Sequence, residues 1–167
     1  MVFLVTESYV LDKTNLDRNL LSHNLKASMI LAQKVNVTEI LGDKLIDKIY
    51  DEINAGTLSG NYKSLVDNYL VDVVTYYTLY YATTNLLSKI SNRGLQQEFS
   101  ENSAQADITV YRTLKSEFKN LAEYFSQRAN KWVYMNRELF YPYYEFCNSD
   151  GEMPANPNSK FFGGLQI

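Results

Sequence analysis

Few side chains in this sequence are of a type that does covalent chemistry. The single histidine, His23, sits among polar residues of a helical stretch, with no serine or cysteine placed to pair with it. It reads as a surface or half-buried side chain. Ser-His-acid and Cys-His catalysis would both need it as the base, and nothing nearby supplies the rest. The single cysteine, Cys147, cannot close an internal disulfide, and no Cys/His cluster has zinc spacing. It reads as a free thiol packed like a small apolar group. Asp47 and Asp51 stand at i, i+4 but alternate with Lys44 and Lys48, the pattern of a solvated helix face, not of metal ligands. Gly163-Gly164 lacks the lysine and helix of a phosphate loop. Gly56 and Gly60 bracket a turn, not a phosphate cradle, and Asn92-Arg93-Gly94 offers one cation beside a helix stop. The expectation is no catalytic site, no metal and no cofactor.

With chemistry thin, surfaces become the place to look. At 167 residues the chain is long enough for one domain whose core needs neither metal nor disulfide. Its fourteen tyrosines are the unusual feature. Each offers a flat apolar face with a hydroxyl that must find a partner or water, which suits half-buried positions. Such positions occur at the rim of a core and at protein–protein contacts alike. The net charge of −3 is spread over interleaved acids and bases. No basic tract is present to neutralise phosphates, so specific or tight nucleic-acid binding is not expected. The opening MVFLVTESYV is too short and lacks the basic residues of a signal peptide, and no run approaches the roughly 20 apolar residues that span a bilayer. These features describe a soluble protein made in a reducing compartment.

The elements are mostly helical. Residues 2–5 form a short apolar run, and Thr6 can cap a brief helix to about Leu11. From near Leu16, the residues Leu20, Leu21, Leu25, Ser28, Met29, Ala32 and Val35 recur at helical steps and predict one buried stripe. Thr38 begins a short turn ending at Gly42, and Asp43 caps a helix with Leu45, Ile46, Ile49 and Ile53 on one face. After a polar linker, Asn61 caps a stretch running from Tyr62 to about Ile90 that is apolar nearly all round, so it is covered on more than one side. Asn92-Arg93-Gly94 stops it. Leu95–Phe99 predicts a strand and Ser100–Ala106 a polar loop, together a β-hairpin or long arm. Asp107 caps a helix to about Tyr134, on the order of 40 Å long. Its predicted stripe is Val110, Tyr111, Leu114, Phe118, Leu121, Tyr124, Phe125, Arg128 and Trp132. A short helix then breaks at Pro142. Residues 148–160 are turn formers, and the chain ends in Phe161-Phe162-Gly-Gly-Leu165-Gln-Ile167, an apolar tip on a flexible tail that either docks on a partner or folds back onto its own domain. The fold class is mainly α: a bundle of about five helices with one small β-hairpin or arm and an extended C-terminal tail. Residues 1–147 form the helical domain and 148–167 the docking tail.

The order of these pieces carries a resemblance. Phe3-Leu-Val-Thr-Glu7 and Ile40-Leu-Gly-Asp-Lys-Leu45 come first, then Tyr62-Lys-Ser-Leu-Val-Asp-Asn-Tyr-Leu70 and Tyr76-Tyr-Thr-Leu-Tyr-Tyr-Ala82. Lys89-Ile-Ser-Asn-Arg-Gly94, Ser100-Glu-Asn-Ser103 and Ala122-Glu-Tyr-Phe125 follow. Over residues 2–147 the sequence resembles the small helical head–tail connector (adaptor) proteins of tailed phages, and more closely the version of crAss-like and other Bacteroidetes phages. The resemblance implies a structural virion protein: a homo-oligomeric ring, usually of twelve copies, below the portal. Such a ring extends the channel through which double-stranded DNA passes without specific binding, and carries the tail or the next ring. It also implies a place in the virion neck after synthesis in the host cytoplasm, with no membrane partner.

The residues fit that implication in three ways. Tyr69, Tyr76, Tyr77, Tyr80 and Tyr81 on the over-apolar helix are candidates for subunit contacts. Phe161, Phe162, Leu165 and Ile167 are candidates for docking onto the portal or an adjacent ring. Gln96, Gln97, Glu98, Glu101 and Asn102 mark an arm that faces either the lumen or a neighbour. A second class of reading is a monomeric helical module that binds a partner helix or peptide through its tyrosine-rich face. A third, an enzyme, lacks the usual catalytic groups.

Overall fold

The computed structural model of the chain describes residues 2–14, 22–87, 89–91, 94–96 and 108–140. Among them the fold is mainly helical, with five helical bodies. The first, α1 (Glu7–Thr14), starts where Thr6 predicts it: the Tyr9 amide donates to Thr6 Oγ1 at 3.3 Å. It runs a turn past Leu11, and Lys13 in that added turn forms an ion pair with Asp72 of the central helix.

The second body joins α2 (Ser22–Leu31), a π-helical segment (Ala32–Val37) and α3 (Thr38–Leu41). Leu25, Ser28, Met29 and Ala32 are buried as their spacing requires, but Val35 is 47% exposed. The π segment is the reason. Its wider turn holds more residues than the 3.6 of an α-helix, so the buried face moves on to Gln33, Asn36 and Val37. Gly42, at φ 73°, turns the chain into α4 (Asp43–Ala55). Asp43 is therefore the first helical residue and not the cap expected of it, and it makes no capping hydrogen bond from outside the helix. Leu45, Ile46 and Ile49 are buried on one face. The helix closes with Gly56 in the left-handed region, its amide and that of Thr57 donating to the carbonyls of Ile53 and Glu52.

The fourth body is the centre of the bundle: α5 (Gly60–Leu65), a second π segment (Val66–Leu70) and α6 (Val71–Leu87). Ser59, extended at φ −151°, precedes its first turn, and Asn61 lies inside it instead of capping it. Leu65, Val66, Leu70, Val73, Val74, Leu79 and Ala82 are all buried. Two of the three buried threonines of α6 bond back along it: Thr75 and Thr83 donate to the carbonyls of Val71 and Leu79, each at 2.7 Å.

After α6, β1 (Lys89–Ser91) lies antiparallel to β2 (Gly94–Gln96), with Ile90 opposite Leu95. The hairpin expected over residues 95–106 is not supported as a unit of its own. The short pairing falls earlier in the chain, and residues 97–107 lie outside the described residues.

The fifth body, α7 (Ile108–Met135), packs along α6, followed by a 3-10 turn over Arg137–Phe140. Its inward face is Phe118, Ala122, Phe125, Ala129, Trp132 and Val133. Only part of the expected stripe points inward: Leu114, Leu121, Tyr124 and Arg128 are exposed. The small, fully buried Ala122 and Ala129 bring α7 close to its neighbour, and the aromatic rings fill the space between them.

Candidate functional site

The tyrosines of α5–α6 and its π segment meet α7 in a ladder of rings. Tyr76 stacks on Phe125 at 5.1 Å and 9°. Tyr69 stacks on Trp132 at 5.0 Å, and Arg128 lies 4.8 Å from the Tyr69 ring centroid. Phe140, fully buried, tilts against both Trp132 (5.9 Å) and Tyr62 (5.6 Å), which anchors the end of α7 to the start of α5. Offset and tilted pairs of this kind contribute about 0.5–1.5 kcal/mol each beyond their area.

Tyr77, Tyr80 and Tyr81 form a second group, with Tyr80–Tyr81 at 5.2 Å and Tyr77–Tyr81 at 6.2 Å. Lys115 sits 5.0 Å from the Tyr80 centroid, and the Tyr81 hydroxyl donates to Asn36 Oδ1 at 3.1 Å. Burial pushes the Tyr77 and Tyr81 hydroxyls above the usual tyrosine range. Bonds to Ser126 and Asn36 pull the other way, and the nearby carboxylate of Glu39 adds to the rise in both. These groups stay neutral at physiological pH. The five tyrosines expected at subunit contacts thus have ring partners within their own chain, while each keeps part of its surface open.

The apolar surface left open lies elsewhere. On α7, Leu114, Leu121 and Met135 recur at multiples of seven residues along one flank, with Tyr124 beside them at 61% exposure. On the second body, Leu31 and Val35 are exposed one turn apart. Both bodies pack against α6. By sequence periodicity Leu114, Leu121 and Val35 fall on expected buried stripes and Leu31 on none. The available signal on α7 was its surplus: apolar residues at 114 and 121 run beside 118, 125 and 132, a band wider than one buried face needs.

Asp47 and Asp51 are exposed on α4, where Lys48 pairs with Glu52 at 3.3 Å. Among the described residues no group of three His, Cys, Asp or Glu side chains could hold a metal ion, and no helix is long and apolar enough to cross a membrane. His23 lies in α2. Gln96 ends β2, whereas Gln97, Glu98, Glu101, Asn102, Cys147, Phe161, Phe162, Leu165 and Ile167 lie outside the described residues.

Compared with known proteins, residues 37–152 match the model of DUF6712, a family of unknown function. The match covers more than half of the chain. No curated protein and no solved structure matches it.

Proposed function

The chain belongs to the DUF6712 family, and we propose for it a structural, non-enzymatic role as a ring subunit joining the head of a tailed phage to its tail. The observation that carries this reading is the resemblance of residues 2–147 to head–tail connectors. The bundle supports it. Apart from Leu139 in the turn after α7, its exposed aliphatic residues among those described fall on two different helical bodies, α7 and α2 with its π segment, as a subunit with a neighbour on either side requires. The net charge of −3 suits a wall past which DNA slides without being gripped.

In this reading a homo-oligomeric ring, of twelve copies as in the connectors the chain resembles, sits below the portal in the virion neck and carries the tail or the next ring. The half-open tyrosines Tyr69, Tyr76, Tyr77, Tyr80 and Tyr81 border the subunit contacts. Phe161, Phe162, Leu165 and Ile167 anchor on the portal or adjacent ring, and the 95–106 arm faces lumen or neighbour.

Electron microscopy of the chain co-expressed with the portal protein of its own genome tests the role. A second ring stacked on the portal is the expected result. Portal alone, with this chain monomeric, would favour a helical module that binds a partner helix or peptide. Deleting residues 160–167 should abolish attachment and leave the helical domain folded, and unchanged attachment would remove the tail from the account.

A further inference from the structure

The charged side chains standing next to the two open apolar pairs are opposite in sign. On α7, Glu117 is one turn from both Leu114 and Leu121, on their flank of the helix. On the second body, Lys34 lies between Leu31 and Val35. Both charged side chains are exposed, and among the described residues neither has an ion-pair partner. Lys26 adds a cation to the second body and Glu39 an anion. Arg128 shares the flank of Leu114, Leu121 and Met135 and Lys131 borders it, both about three turns or more beyond Glu117 along α7.

A two-fold contact of either face with its own copy would bring Glu117 toward Glu117, or Lys34 toward Lys34, across an apolar seam. Like charges at such a place disfavour the pairing, whereas joining the two different faces sets opposite charges together. Resting on the ring reading above, we infer that the Leu114–Leu121 flank of α7 in one copy packs on the Leu31–Val35 face of the next copy, with Lys34 opposite Glu117. A contact between two different faces leaves one of each free on every growing end. It therefore propagates, and closes into a ring when the rotation per subunit allows.

Mixing full-length Lys34→Cys with Glu117→Cys, both carrying Cys147→Ser, under mild oxidation tests the contact. The mixed disulfide dimer should exceed either self-linked dimer several-fold, and a chain carrying both cysteines should link into species of many copies. Lys34→Glu should weaken self-association roughly tenfold, and Glu117→Lys in the same chain should restore it. Equal self-linked and mixed products, no disulfide at all, or a reversal that Glu117→Lys does not rescue would overturn the inference. If rings on the portal are seen by microscopy while 34 and 117 do not cross-link, the contact falls and the ring role stands. If neither rings nor cross-links form, both fall.

Discussion

Replacing Gln33 by methionine should unlatch the N-terminal segment from the bundle. Gln33 is fully buried in the first π segment. Its Oε1 accepts from the Leu4 amide at 2.7 Å, and its Nε2 donates to the Val2 carbonyl at 3.1 Å. Its side chain also bonds the Tyr50 hydroxyl, whose pKa burial raises. Methionine keeps much of the volume and removes every one of these bonds. The Leu4 amide is buried and would be left unpaired, which costs about 1–3 kcal/mol, while the part-exposed Val2 carbonyl can turn to water at about 0.5–1 kcal/mol. Leu4 and Val5, both buried, would lose part of their cover as the segment loosens. A total of about 2–4 kcal/mol in a chain of this length lowers the melting temperature by roughly 5–15 °C. Thermal melting followed by circular dichroism measures that drop, and amide exchange should show residues 4 and 5 losing protection ahead of α6. A Gln33→Met protein that melts within 2 °C of the parent with its Leu4 amide still protected would refute the latch.

Other outcomes follow from the same packing. Thr78 is fully buried on α6 with its hydroxyl unpartnered, so Thr78→Val should stabilise by about 0.5–2 kcal/mol, read as a rise in the urea midpoint. Ala129→Leu should overpack the α6–α7 crossing and cost about 1–3 kcal/mol, with the near-ultraviolet spectrum altered; an unchanged midpoint would contradict the close approach. For Lys13, burial lowers the pKa but the hydrogen bond and charge of Asp72 raise it further, so the net shift is upward from 10.5. A raised pKa means its stabilisation is complete below 10.5 and is lost as pH climbs through the folded value. The pair is partly exposed and contributes about 0.2–1 kcal/mol, so Lys13→Met should melt slightly lower at neutral pH and converge with the parent as pH rises through the folded pKa. Tyr50, Tyr77 and Tyr81 act in the same direction: their raised pKa values make the fold lose stability above their ordinary value of 10.0. Tyr77→Phe should reduce that alkaline loss in a pH series of melting curves.

Much of the bundle was legible in the residues because local signals agreed with the packing. Thr6 caps α1, Gly42 and Gly56 end their helices at positive φ, and Leu45, Ile46 and Ile49 share a buried face. On the second body the failures have one common cause. A periodic reading assumes 3.6 residues per turn, and the π segments at Ala32–Val37 and Val66–Leu70 break that count. So Val35 faces outward, and the polar Gln33 and Asn36 turn inward, where they bond Leu4 and Tyr81. On α7 the period was right but the face was right only in part: Phe118, Phe125 and Trp132 pack inward. Ala122 and Ala129, weak in apolar weight, are fully buried, while the heavier Leu114 and Leu121 stay outside. The tyrosines were legible as half-buried, yet no spacing within α6 says which rings meet α7 and which meet solvent. That depends on how two distant segments approach each other.

The ring ladder also gives this protein a built-in optical probe. Trp132 is the only tryptophan in the sequence, and it stacks on Tyr69 and abuts Phe140. Light absorbed by indole alone therefore reports a single place, the seam between α7 and the central helix near the second π segment. The indole is half-buried in the folded chain, and its emission should shift to longer wavelength when that seam admits water. Exposed contacts such as the Leu114–Leu121 flank can be made or broken far from it without moving the signal. Unfolding and association can thus be followed in one sample, the first by tryptophan emission and the second by mass.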